Sequence, residues 1–126
     1  MQLNIINMQT TNYTNLDFLR EISDGNDVFY KEFLSLFLTS APKSISEMEQ
    51  CYTARDWEHL RMLAHKIKPS FNYVGLKELN HCAAKIEEIA TKKIDSGEIQ
   101  MLLDNIKSVC AVAFKELEEE IKNGLA

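Results

Sequence analysis

Glycine and proline are scarce in this sequence, with four and two in 126 residues, less than half of the roughly 12% typical of proteins. So few chain breakers leave too few tight turns for a sandwich or barrel, and they favour a helical domain. Cysteine is limited to Cys51, Cys82 and Cys110, far apart and without a C-x-x-C pair. No paired-cysteine metal or redox motif is present, and the three read as small buried apolar residues of a reducing compartment. Basic residues are outnumbered fourteen to nineteen, for a formal charge of -5. Neither nucleic acid nor an anionic membrane meets a global positive field here. No stretch reaches the roughly eighteen apolar residues of a membrane span. The opening Met1-Gln2-Leu3-Asn4-Ile5-Ile6-Asn7 lacks the basic region and apolar run of a signal peptide, so a cytoplasmic protein is expected. A glycine-rich phosphate loop, an H-E-x-x-H motif and a pocketed Ser-His-Asp set are also missing, which argues against an enzyme with its own active site.

What remains is ordinary for a folded domain: 45% hydrophobic and 26% charged residues. Residues 1–13, rich in Asn, Gln and Thr, read as a tail that docks loosely, and 14–123 as one helical domain. A short helix is expected at about 15–23, with Leu16, Leu19 and Ile22 on one side. A second, at about 27–53, carries Phe29, Phe33, Leu36, Phe37, Ser40, Ser44, Met48 and Tyr52 in steps of three and four, and Pro42 should bend it. A third opens at Asp56 and closes at Gly75. A fourth, at about 76–93, repeats Leu76, Leu79, Ala83, Ile86 and Ala90. The fifth starts from Asp95 and Glu98 at capping-box-like spacing and carries Ile99, Leu102, Ile106, Val109, Ala113 and Leu117. Short connections make consecutive helices antiparallel. The expected fold is all-α: an up-and-down antiparallel four-helix bundle with a short N-terminal capping helix. The run Glu116-Leu117-Glu118-Glu119-Glu120 reads as a solvated helix face.

Candidate chemistry lies among the side chains that this pattern leaves outside. On a wheel of the third helix, Trp57, Leu60, Leu63, Ala64, Ile67, Phe71 and Val74 share one apolar sector. His65 falls about 140° from its centre at roughly 100° per residue. Glu58, Arg61, Lys68, Pro69 and Asn72 surround it, with Met62 at the margin. A neutral imidazole on a rigid helix, with cations one turn away on either side, suits a phosphoryl carrier. Asp56-x-x-His59 and Glu78-x-x-His81 have the spacing of dimetal half-sites. His81 and Glu78 point outward on their helix, however, and Asp56 is used as a cap, so no metal site is expected.

The segment Ala64-His65-Lys66-Ile67-Lys68-Pro69-Ser70, followed by Asn72, Gly75 and a new helix, resembles the signature of histidine-containing phosphotransfer domains. The resemblance covers about 14–121. Phe33-Leu34 through Pro42 looks like the family's second helix. Asp56 looks like its helix-opening aspartate, and Leu79, Cys82 and Ile86-Glu87 follow its next helix. It implies a phosphorelay intermediate without kinase activity: the histidine accepts a phosphoryl group from a receiver-domain aspartate and passes it to another receiver. The implied partners are receiver domains of hybrid sensor kinases and response regulators. The family has no cofactor of its own, and the receiver supplies Mg²⁺. His65 is then the phosphorylated residue and Lys68 the cation at the phosphoryl group, with Arg61 added from the wheel.

The docking ring is expected to comprise Glu58, Met62, Pro69 and Asn72, with Lys43 and Ser46 of the preceding helix, on a monomeric bundle. The family usually has glycine where this chain has Pro69. Proline there removes the donor to the His65 carbonyl and biases Lys68 away from helical geometry, so a displaced Lys68 is expected. The alternative is a degenerate bundle that binds receivers as an adaptor without carrying phosphate.

Overall fold

In the computed structural model, which describes residues 12–125, five helices follow one another. They are α1 (Asp17–Ser23), α2 (Asp27–Thr53), α3 (Trp57–Tyr73), α4 (Lys77–Lys92) and α5 (Glu98–Asn123), with no strand among the described residues. Each end is marked by a local polar or left-handed residue. The Asn26 side chain accepts from the Phe29 N–H at 3.0 Å, and Asp56 accepts from His59 at 3.2 Å. Asp95 Oδ1 takes the N–H groups of Gly97 and Ile99 at 3.1 and 3.2 Å, but the N-cap of α5 is the left-handed Gly97, so Asp95 and Glu98 do not form the capping box that their spacing suggested. Gly75, at φ +73°, ends α3 and turns the chain into α4. α3 packs most extensively on α4, α2 lies against both α3 and α5, and α4 and α5 close the ring, with α1 laid on α2. The all-α four-helix bundle with a short N-terminal helix is the observed fold.

The core follows the expected stripes on α3 and α4 and departs from them on the other helices. On α1, Leu19 and Ser23 are buried while Ile22 is exposed; the Ser23 hydroxyl donates to the Leu19 carbonyl at 2.7 Å. On α2 the buried row is Tyr30, Leu34, Phe37, Ala41, Ile45, Met48 and Cys51, whereas Phe29 and Leu36 are exposed. Two apolar rows run along this helix one residue apart. The deeper one is led by Tyr30, whose hydroxyl reaches Glu120 at 2.6 Å beside Arg20. A buried aromatic with a satisfied polar tip leaves Phe29 at the rim, while Phe37 stays in the core. On α5, Leu103 and Cys110 lie deeper than the expected Leu102 and Val109. α2 continues as helix through Pro42.

The acidic run is not a plain solvated face. Besides holding Tyr30 and Arg20 through Glu120, it presents Glu116, which accepts from the backbone N–H groups of Tyr13 and Thr14, both at 3.0 Å. Tyr13 and Thr14 are thereby anchored to α5. The rest of the expected loosely docked tail, residues 1–11, lies outside the described residues. All three cysteines are buried and free. Burial alone pushes the Cys110 thiol up to about 12, so it remains an uncharged core group.

Candidate functional site

His65 sits in the middle of α3 with 67% of its side chain exposed. α3 and α4 form an antiparallel hairpin turning at Gly75, which brings Glu87 of α4 alongside His65. The Glu87 Oε2 atom lies 2.9 Å from His65 Nδ1, and its Oε1 lies 2.6 Å from Lys68 Nζ. A carboxylate can only accept, so Nδ1 carries the ring proton and the lone pair of the neutral imidazole is on Nε2. One carboxylate thus orients the histidine and holds the lysine beside it.

The Lys68 ammonium, with a smaller contribution from His65, holds the Glu87 carboxyl below its ordinary range against the opposing effect of burial. The stability this ion pair contributes is present above the normal glutamate range and is lost as pH falls through the lowered value. At neutral pH Glu87 is ionised.

Lys68 is not displaced by the proline that follows it. It stays within α3, which continues to Tyr73, and its carbonyl accepts from the Asn80 side chain of α4 at 2.9 Å. This tether and the Glu87 pair hold Lys68 from the neighbouring helix, while the His65 carbonyl still loses the intrahelical donor that Pro69 lacks. Pro69 is exposed and, with Asn72, Tyr73, Lys77, Asn80, His81 and Phe18, lines a shallow groove beside the histidine. Phe18 of α1 stacks on Tyr73 with ring centroids 5.6 Å apart and is half exposed. Met62 is exposed on the other side of His65.

Three of the expected neighbours lie elsewhere or are otherwise engaged. Arg61 forks onto Glu58 of its own helix through contacts of 2.8–3.2 Å rather than turning to His65. Ser46 lines a groove with Lys107, Cys110 and Phe114 of α5, which is the wrong flank of α2. Lys43, exposed midway between buried Ala41 and Ile45, points away from the core on the back of that helix. The neighbour of the histidine is α4, on which α3 packs most extensively, not α2.

Glu87 was absent from the expected site. Its signal was symmetry: His65 and Glu87 are equally far from Leu76 in the turn. Glu78 and His81 are both exposed and do not enter the bundle.

Comparison with known proteins places these features in context. Residues 32–124 match the sequence model of the Hpt domain. The phosphorelay intermediate protein rdeA of Dictyostelium discoideum is 25% identical over 107 residues, 85% of this chain, which spans only 42% of that relative's length. The crystal structure of histidine-containing phosphotransfer protein B (HptB) from Pseudomonas aeruginosa PAO1 superposes with a TM-score of 0.81. The match covers 90% of this chain and 98% of the other at 17% identity, a likeness of fold.

Proposed function

The chain belongs to the Hpt domain family, and on that premise we propose that it is a phosphorelay intermediate that carries a phosphoryl group on His65 between receiver-domain aspartates. The observation that carries this reading is the exposed imidazole whose Nδ1 is occupied by Glu87, which leaves Nε2 directed at solvent. Nε2 attacks the phosphorus of a receiver's aspartyl phosphate. A P–N bond forms as the P–O bond to the aspartate breaks, and the aspartate leaves as a carboxylate. The ring becomes cationic with its proton still on Nδ1, and Glu87 stabilises that charge. The same steps in reverse deliver the group to a second receiver. Lys68 is close enough to exchange Glu87 for the phosphoryl oxygens. The receiver brings its own acidic pocket and Mg²⁺, since a convex helical surface cannot enclose the transition state.

The docking surface follows from what flanks the histidine. Met62 on one side and the groove of Pro69, Tyr73 and Phe18 on the other offer apolar contacts, with Asn72 lining the same groove and Glu58–Arg61 at the rim. A short-lived complex is served by a modest interface with a few apolar anchors. Incubation with a phosphorylated receiver and Mg²⁺ should give an acid-labile, base-stable phosphoryl adduct, and ATP alone should give none. Binding of the receiver without any adduct would instead identify an adaptor.

Glu87 acts in this scheme as a positioning residue. Glu87→Ala should slow transfer by about tenfold, as expected for losing one exposed charge-assisted hydrogen bond. Glu87→Gln, which keeps an acceptor for Nδ1, should recover part of that rate. ¹⁵N spectra of the imidazole provide the independent reading: the Nδ1–H tautomer should dominate in the native protein and in Glu87→Gln, and lose its dominance in Glu87→Ala. An unchanged tautomer balance in Glu87→Ala would remove the positioning role.

The proline gives a second test. Pro69→Gly should retain transfer, because the Lys68 geometry depends on Glu87 and Asn80 rather than on residue 69. For the same reason Lys68→Ala should slow transfer by the same factor in the native and glycine backgrounds, measured with one receiver. A larger effect in the glycine background would show that the proline does hold the lysine out of place.

A further inference from the structure

We propose that Cys51, Asp56 and His59 form a binding site for a zinc-class divalent metal ion at the junction of α2 and α3, independent of the phosphoryl site. A sulfur, a carboxylate oxygen and an imidazole nitrogen from these residues all lie within 4.8 Å of one another. Capping uses only one oxygen of Asp56: Oδ1 accepts from the His59 N–H, while Oδ2 lies 3.6 Å from His59 Nδ1. That separation is too long for a hydrogen bond. It is close to the roughly 3.3–3.6 Å between two ligands on one tetrahedral zinc. Apart from His59, no cationic side chain pairs with Asp56 among the described residues, and the nearby Arg55 guanidinium lies over the Tyr52 and Trp57 rings.

The three donors are preorganised by backbone contacts that exist for other reasons. The Asp56 N–H donates to the Cys51 carbonyl at 2.9 Å, and the left-handed Arg55 folds the turn back so that the end of α2 meets the start of α3. The capping bond then fixes His59 relative to Asp56. A cation at a helix N-terminus is normally disfavoured, but a thiolate and a carboxylate neutralise a divalent ion. On binding, the Cys51 thiol gives its proton to solvent. The sulfur–nitrogen–oxygen set selects zinc or cobalt over magnesium and calcium, and three protein ligands leave a fourth position for water.

Titration of the full chain with Co²⁺ tests the site directly. The native protein should develop the intense near-ultraviolet sulfur-to-cobalt band, and Zn²⁺ should bleach it. The band should persist in Cys82→Ser and Cys110→Ser and vanish in Cys51→Ser. His59→Ala, a surface change that leaves the bundle intact, should weaken binding by about tenfold or more. Zinc should raise the melting temperature of the native protein but not of His59→Ala. Absence of the band in the native protein, or its survival in Cys51→Ser, would overturn the proposal.

Discussion

His65→Gln should abolish phosphoryl transfer while leaving the bundle as stable as before. Two-thirds of the side chain is in solvent, and among the described residues its sole side-chain partner is Glu87, which keeps Lys68 when the imidazole is gone. Surface changes of this kind alter stability by about 0.5 kcal/mol or less. Glutamine fits the helix and approximates the shape of the ring but has no nucleophilic nitrogen. With a phosphorylated receiver and Mg²⁺, the adduct should fall to background while the thermal midpoint stays put. Two other histidines provide the counter-test, since His59 and His81 are also exposed. An adduct of native yield in His65→Gln would mean that one of them, or another residue, carries the group.

The largest loss of stability from a single methyl group is expected at Gly75. Its φ of +73° already disfavours a side chain, at a cost of about 1 kcal/mol. A Cβ there would also come within 2.3 Å of the Asn15 carbonyl oxygen and 2.5 Å of its nitrogen. Those atoms are backbone, and Asn15 is tied to the same turn by its N–H bond to the Val74 carbonyl at 3.0 Å. No rotamer change relieves the clash, so the segment leading into α1 must lift from the turn. Overpacking of this kind adds about 2 kcal/mol, for a total near 3 kcal/mol and a fall of about 12 °C in melting temperature. Gly25→Ala is the control: it has a similar φ of +81° but nothing within 4 Å, so it should show the strain alone. Equal losses at the two positions would show that Asn15 yields freely.

How much of this was legible beforehand depended on whether the determinant was local. Helix ends were readable because Asp56, Gly75 and Asp95 act on their own neighbours within four residues. His65 could be placed outside because the apolar sector of α3 is strong and single. α2 carries two adjacent apolar rows, and it is contacts from other helices, such as the Tyr30 hydroxyl bond to Glu120 of α5, that put Tyr30 rather than Phe29 inside. Glu87 was hidden for the same reason: its role arises across a hairpin, where no helical period can find it. Position alone puts Arg61 at the phosphoryl group, but Glu58, three residues earlier, takes its guanidinium. Pro69 removes a backbone donor as its chemistry dictates, yet Lys68 keeps its place because Asn80 and Glu87 hold it from outside its own helix.

The shared carboxylate also bears on how long a phosphoryl group would stay. In the resting protein one anion is divided between an imidazole N–H and an ammonium. A phosphoryl group adds nearly two negative charges within reach of the same lysine. The phosphoryl oxygens would then compete with Glu87 for Lys68, while the cationic ring keeps Glu87. On the proposed scheme such a bond would be held loosely, and small differences between receivers would set the direction of flow. The domain would serve as a crossing point for phosphate rather than a reservoir of it.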